Sequence, residues 1–445
     1  MRIVSITAGA AGMFCGSCMR DNTLASALIT MGHDALLVPT YTPITTDELD
    51  ATQGGKVFFG GVNVYLQQSK YTSWAFRRTP RFVDAFLNNR AFLKWVGRFA
   101  GSADYSKLGG VTASMLRGTD GNQRKEVGKL IDWLKSEIRP DAVLMSNALL
   151  SGIVPELHRK LKVPILTTLQ GDDIFLDELP EADRLRCIEL IRANDEFTAG
   201  YICTSAAYAD HMAGYLGLDW NKMHIVYPGI NTQAYTGIVP RPAERPPTIG
   251  YFARLAPEKG FHNLVDAFIR LRTDLTPRPP LRSGEGEIQL KFAGWLGAKN
   301  KPYLDRQLAK LNAAGLSAAV EWVPCPDLAS KACFFQSIDV LSVPTTYREP
   351  KGLYVLEAWA SGVPVVQPNH GSFPELIART GGGILVQPND TPALAGALAE
   401  LLADRDRREK LGRAGYDGVK ASHEAGHMAA ATLAVLNRYV PGRSA

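Results

Sequence analysis

Short apolar runs alternate with longer amphipathic runs along most of the chain, the rhythm of βαβ units and parallel sheets. Residues 3–7 read as a buried strand, 9–16 as a glycine loop, 21–31 as a helix ended by Gly32, and 35–38 as the next strand. Further strands are predicted at 142–145, 164–167, 200–204 and 224–227, with a helix at 206–216. The pattern then restarts: strand 248–254, helix 261–271 with Phe261, Leu264, Val265, Phe268 and Ile269 on one face, and strands at 288–293, 338–343 and 364–367. Residues 391–440 read as helical. Between the halves, 239–247 holds four prolines in nine residues, the mark of a stiff linker. Residues 274–287, rich in Pro, Arg, Gly and Glu, read as a surface insertion. The fold class is therefore α/β, two Rossmann-like halves, with a ligand expected between them at the carboxyl ends of the strands.

One stretch breaks the rhythm. Residues 66–118 interleave aromatics (Tyr71, Trp74, Phe76, Phe82, Phe86, Phe92, Trp95, Phe99) with Lys70, Arg77, Arg78, Arg81, Arg90, Lys94 and Arg98. Apolar positions recur there at helical spacing. The faces either pack on the domain or, through residues 70–100, touch an anionic membrane surface or a lipid-linked acceptor.

Composition narrows the classes. At 445 residues and 46% hydrophobic, the chain suits two domains. A net charge of +5 over this length does not call for nucleic acid. No run reaches the ~18 apolar residues of a membrane span, and the amino terminus makes a poor signal peptide. Six cysteines are too few for a disulfide scaffold, so a reducing cytoplasm is expected, with the inner face of the membrane as a peripheral station. Cys15 and Cys18 form a C-x-x-C, but no second pair completes a zinc site.

The chemistry concentrates in the second half. In Arg348-Glu349-Pro350-Lys351-Gly352-Leu353-Tyr354-Val355-Leu356-Glu357, Gly352 and Leu353 open a helix at a strand's carboxyl end, a seat for an anion or a sugar hydroxyl. Glu349 precedes that helix and Glu357 lies inside it. Two carboxylates so spaced can accept from two separate sets of hydroxyls. Arg254 ends a strand and Lys259 precedes the next helix, so both cations are placed to neutralise a departing diphosphate. A third turn, Pro368-Asn369-His370-Gly371-Ser372-Phe373-Pro374-Glu375, follows another strand, and Gly371 would let backbone amides approach a ligand closely.

These three segments resemble the donor-binding half of the retaining glycosyltransferases of family four, of GT-B fold. The family pattern is G-x-L-x-x-x-K-G, then E-P-x-G-L-x-x-x-E-A-x-A-x-G-x-P-V-V, then a G-x-x-E turn, and residues 248–440 follow it. The first half follows more weakly, at 3–38 and from Cys203 onward to Asn231. The resemblance implies a first, acceptor-binding domain at 1–236, a donor-binding domain at 237–425, and a helix at 426–445 crossing back. It implies that Arg254 and Lys259 bind the donor's phosphates, Glu357 the ribose and Glu349 the donor sugar. Lys351 and the amides near Gly352 and Leu353 would complete that pocket, and the loop at Gly12 would reach the phosphates from the other domain. The donor would be a UDP- or GDP-linked sugar and the acceptor a saccharide, a lipid-linked species or a small molecule, with no cofactor and no metal. The chain departs from the family at Gln170, which stands where a His often falls. Gln170 cannot carry a proton at neutral pH, which leaves Asp172 or Asp173 as substitutes.

Rival readings are weaker. His423-Glu424-Ala425-Gly426-His427 fits H-E-x-x-H, the signature of a zinc hydrolase, if both histidines share one helical face. Residues 9–16 lack the glycine spacing of a dinucleotide-dependent oxidoreductase, and the second strand ends without a carboxylate. No G-x-x-x-x-G-K-[ST] loop occurs. A non-catalytic relative that only binds sugar nucleotides is opposed by the full set of cations and carboxylates.

Overall fold

The structure is a computed structural model, and it describes residues 1–9, 15–40, 43–44, 46, 48, 50–52, 105–235, 237–239, 245–273 and 287–440. Gly12, the aromatic and basic residues 70–100, most of the proline linker and nearly all of the 274–287 stretch lie outside these. The chain divides into two compact units: Met1–Pro228 with Ala425–Ala445, and Gly229–Glu424.

The first unit is built on six parallel strands: β1 (Arg2–Thr7), β2 (Asp34–Pro39), β3 (Ala142–Met145), β4 (Ile165–Leu169), β5 (Gly200–Cys203) and β6 (Met223–Ile225). Their order is β2-β1-β3-β4-β5-β6. β1 runs beside β2 with Ile3 opposite Ala35, and beside β3 with Ile3 opposite Ala142. Strands buried on both faces read as continuous apolar runs, which is why β1 and β3 stood out in the sequence. The helix Gly16–Thr30 follows β1 and starts earlier than the predicted 21–31. Polar Arg20, Asp21 and Asn22 are buried in its first turns and masked its start from the hydrophobic pattern. The helix Ala425–Leu436 packs Met428, Ala429, Leu433 and Leu436 against Ile3, Leu24, Leu28 and Val226 of this unit.

The second unit carries β7 (Thr248–Phe252), β8 (Gln289–Ala293), β9 (Val320–Trp322), β10 (Val340–Leu341), β11 (Val365–Pro368) and β12 (Gly383–Val386). They are also parallel, in the order β12-β11-β10-β7-β8-β9. Phe261, Phe268, Phe292, Phe334, Phe335, Leu356 and Trp359 lie in its one core cluster. In each sheet the winding reverses once, between β1 and β3 and between β7 and β10. Open α/β sheets bind ligands outside the carboxyl ends of the strands at such points.

Residues 391–440 are helical as expected, in three helices, Thr391–Ala403, Arg405–Ser422 and Ala425–Leu436. The first break is capped by Asp404, whose side chain accepts from the Arg407 amide, a capping signal hidden among charged residues. The second break falls inside His423-Glu424-Ala425. His423 caps one helix and is buried, while Glu424 accepts from Lys420 and Thr232. The one helical face the zinc reading needed is therefore interrupted, and no metal-ligating cluster occurs among the described residues. No helix there is long and apolar enough to cross a membrane.

Candidate active site

Two loops meet at the β7/β10 reversal. The first leaves β7 and carries Arg254, Glu258 and Lys259. The Tyr251 hydroxyl bonds the carbonyl oxygen of Arg254 at 3.1 Å, pinning the loop's start to the strand beneath. Gly260 ends it with φ +72, and a Cβ there would sit 1.7 Å from the Pro344 carbonyl oxygen. Only glycine permits that conformation and that approach together. The second loop leaves β10, and its Thr346 amide donates to the Glu258 carbonyl at 3.0 Å. Lys259 is thereby set beside Tyr347 and Glu349.

Glu349 is the hub. Its side chain is buried, yet five groups hold its carboxylate. Oε2 accepts from Lys259 Nζ at 2.6 Å, from the Tyr347 hydroxyl at 2.7 Å and from the Tyr354 hydroxyl at 3.1 Å. Oε1 accepts from the Lys351 and Gly352 amides, each at 3.3 Å. Lys259 also donates to the Tyr347 hydroxyl. Burial alone would raise the Glu349 pKa, but Lys259, the Tyr347 hydroxyl and the nearby charge of Lys351 outweigh it and bring it down to about 2. The carboxylate is therefore ionised at any ordinary pH. The same contacts cap the helix Leu353–Ala360, since Glu349 serves the Gly352 amide at its start. Gly352 is left-handed there, φ +63, and opens the helix as the sequence predicted.

Glu357 points to a second cation. It pairs with Lys331 at 2.7 Å, with both side chains buried. Lys331 comes from the helix Leu328–Gln336, and its ammonium lies 5.8 Å from the Phe252 ring at the end of β7. Arg254 differs from both lysines. Its guanidinium is about a third exposed and pairs with Glu258 at 3.0 Å.

The remaining predicted residues fall as follows. Gly371, φ +59, brings backbone close to the Glu349 loop. A Cβ there would lie 2.5 Å from the Glu349 nitrogen, and the adjacent Ser372 amide donates to the Glu349 carbonyl at 2.8 Å. In the first unit Gln170 is buried at the end of β4. Its Nε2 donates to the Ser146 carbonyl at 2.7 Å and to Asp21 Oδ1 at 3.3 Å. Neither aspartate after it stands free as a substitute base. Asp172 accepts from the Ala148 and Gln170 amides at 2.6 and 3.0 Å, and burial lifts its pKa to about 6. Asp173 accepts from the Tyr208 hydroxyl at 2.6 Å and meets His211 at 3.1 Å. The Cys18 thiol is buried against Cys15 and Thr7, and its pKa is raised by the Cys15 thiol and by burial.

Sequence reasoning missed Tyr347, Tyr354 and Lys331. The two tyrosines flank Glu349 at two and five residues and could have been noticed as local hydroxyls. Lys331 had no signal, because its partner is 26 positions away on another helix.

The chain matches two family models: glycosyl transferases group 1 over residues 239–418, and glycosyltransferase family 4 over residues 116–234. It is 28% identical over 293 residues to a D-inositol 3-phosphate glycosyltransferase of Corynebacterium aurimucosum, covering 62% of this chain and 66% of that one. It is 29% identical over 211 residues to a GDP-mannose-dependent alpha-(1-6)-phosphatidylinositol monomannoside mannosyltransferase of Mycobacterium tuberculosis, covering 44% and 50%. The chain thus spans from half to just under two thirds of these relatives. Among solved structures, sucrose-phosphate synthase from Thermosynechococcus elongatus superposes with a TM-score of 0.70 at 18% identity, covering 98% of each chain. Anabaena HepE in complex with UDP and glucose gives 0.66 at 15% identity, covering 98% and 100%. The architecture is of the GT-B type.

Proposed function

We propose that the chain, which matches the glycosyl transferases group 1 model over residues 239–418 and the glycosyltransferase family 4 model over residues 116–234, is a retaining hexosyltransferase using a UDP- or GDP-linked sugar. The acceptor is a saccharide, a lipid-linked species or a small molecule. The observation that carries this reading is the Lys259–Glu349 pair at the β7/β10 reversal, closed over by Tyr347 and Tyr354.

The chemistry follows from what each group has left to give. The Lys259 ammonium has three N–H donors, and Glu349 and Tyr347 engage two. The third is directed at a phosphate oxygen of the donor, with Arg254 as the second cation. Together they meet the charge that grows on the diphosphate as the glycosidic bond breaks, the task a metal performs in other transferases. Glu349, held ionised, accepts from hydroxyls of the donor sugar and orients it. Glu357 accepts from the ribose hydroxyls, and Lys331 fixes its direction. No protein nucleophile is assigned. The acceptor hydroxyl attacks on the face the diphosphate is leaving, and a leaving phosphate oxygen takes its proton, so configuration is kept. The six cysteines form no disulfide with one another, as a reducing cytoplasm keeps them, and the enzyme is read as working there.

The test is a screen of UDP- and GDP-sugars for donor hydrolysis by purified protein with EDTA present. Turnover of one donor, undiminished by EDTA, is expected. Turnover that EDTA abolishes and a divalent ion restores refutes the metal-free step, and no turnover with any donor refutes the reading as a whole.

A further inference from the structure

The β1/β3 reversal of the first unit holds polar side chains that the proposed chemistry does not use. Arg20 lies one turn into the helix Gly16–Thr30 and is 1% exposed. A guanidinium removed from water needs its donors met, since each unmet one costs as much as a lost hydrogen bond or more. Among the described residues only Nη1 is met, by Asp21 Oδ1 at 3.1 Å. Nε and Nη2 are both buried without a partner. These two nitrogens are not scattered: they form the side edge of the guanidinium, the parallel fork that matches two oxygens of one phosphate or carboxylate.

The surroundings fix that edge. Asp21 Oδ1 also accepts from Gln170 Nε2, which donates to the Ser146 carbonyl just past β3. Arg20 is thus bound through Asp21 and Gln170 to the ends of β3 and β4. Next to Ser146, Asn147 gives its Nδ2 to the Ser146 hydroxyl at 3.4 Å, while its Oδ1 is buried and unpartnered. An anion fork and a hydroxyl acceptor therefore collect at the point where an open parallel sheet takes its ligand. Burial lowers the guanidinium's pKa, and Asp21, its ion-pair partner, offsets part of that.

We propose that Arg20 anchors a phosphate-binding site in the first unit, and that its ligand is a phosphorylated, hydroxyl-bearing molecule whose phosphate sits on the Nε–Nη2 edge while a hydroxyl donates to Asn147. That this ligand is the sugar acceptor rests on the function proposed above; the site itself does not. Carboxylate-bearing sugars share the two-oxygen geometry and are separated by experiment.

The full chain is titrated calorimetrically with inorganic phosphate, glucose 6-phosphate, glucuronate and glucose, at constant ionic strength with saturating UDP, so that the second unit's nucleotide site is filled. Phosphate and glucose 6-phosphate bind and glucose does not. Arg20→Lys, which keeps the charge and loses the fork, weakens both about tenfold to a hundredfold. The double variant Arg20→Met with Asp21→Asn, which leaves no buried charge unpaired, abolishes binding. UDP affinity stays unchanged in each variant. The proposal is overturned by equal phosphate affinity in Arg20→Lys, by no phosphate binding in the wild type (a site filled by water alone), by glucuronate binding in preference to phosphate, or by loss of UDP affinity. Should the double variant fail to fold, the wild type and Arg20→Lys still decide. Donor hydrolysis is scored separately, so a failed phosphate site leaves the transferase reading standing, and the reverse.

Discussion

The two sheets each reverse their winding once, and polar residues gather at both places, yet the two gatherings are finished differently. At β7/β10 the buried cations meet acids within the same unit: Lys259 with Glu349 at 2.6 Å, Lys331 with Glu357 at 2.7 Å. At β1/β3 the buried guanidinium of Arg20 has one partner among the described residues, and its Nε–Nη2 edge is buried and unmet. A ligand at the first meets cations and acids whose geometry the protein fixes beforehand through their mutual contacts. A ligand at the second completes a set the chain leaves incomplete. Buried ion pairs of the first kind are weak sources of stability, because desolvation offsets most of the attraction. Their worth lies in holding a charged carboxylate in one orientation.

That contrast is broken most directly at Glu349. Changing it to Gln keeps the shape, removes the charge and leaves Lys259 facing an amide. We expect kcat for donor turnover to fall about 100- to 1000-fold, the range for losing one preorganised electrostatic contact, with the fold intact by circular dichroism. A variant that turns over at the wild-type rate would show that the pair is structural only.

A smaller effect is expected at Gly371, which tests whether the β7/β10 site depends on backbone held by close approach. Alanine there must adopt φ +59 with its Cβ 2.5 Å from the Glu349 nitrogen and 2.6 Å from its oxygen. Left-handed strain plus overpacking costs about 3 kcal/mol, read as a lowered denaturation midpoint. Because the clash falls on the Glu349 backbone, kcat should fall along with stability. Loss of stability with untouched kcat would detach this turn from the site.

The same contrast explains what the sequence revealed. Glu349 and Lys259 drew notice in the sequence because each lies in a loop after a strand beside the Pro350 or Gly260 that punctuates the turn, Arg254 because it follows a strand, and Glu357 because it lies in the helix that Gly352 opens. The βαβ alternation was legible wherever strands are buried on both faces, as in β1 and β3. Three things were not. Lys331 meets Glu357 only through the tertiary fold. β10 is two residues long within a predicted 338–343, because the flanking residues make single bonds, such as the Ser342 amide to Gly250, rather than a ladder. And the first unit's polar cluster carries no motif: Arg20, Asp21 and Gln170 read as ordinary helix and loop residues until β1, β3 and β4 bring them together. Gln170 drew notice only as a departure from the family, and Asp172, offered as its substitute, turned out to hold two backbone amides.

Asp172 gives the smallest effect and the sharpest comparison between the sites, since its environment shifts it opposite to Glu349. Burial dominates and raises its pKa from 3.8 to about 6, although the Ala148 and Gln170 amides pull it back. For an acid raised on folding, the native state holds the proton that the unfolded state has released. Its contribution to stability is therefore full below pH 3.8 and is lost as pH climbs through 6. Asn at this position never ionises. The wild type minus Asp172→Asn difference should decline by on the order of 2 kcal/mol between pH 4 and pH 7, measured as the separation of their thermal midpoints across that range. Glu349 is shifted the other way, from 4.5 down to about 2, so the wild type minus Glu349→Gln difference should rise, by no more than about 1 kcal/mol, between pH 4 and the upper end of the carboxylate range and stay level above it. Parallel midpoints for Asp172→Asn would mean that the two amides, rather than burial, set its charge, and the first unit would then hold its carboxylates ionised just as the second does.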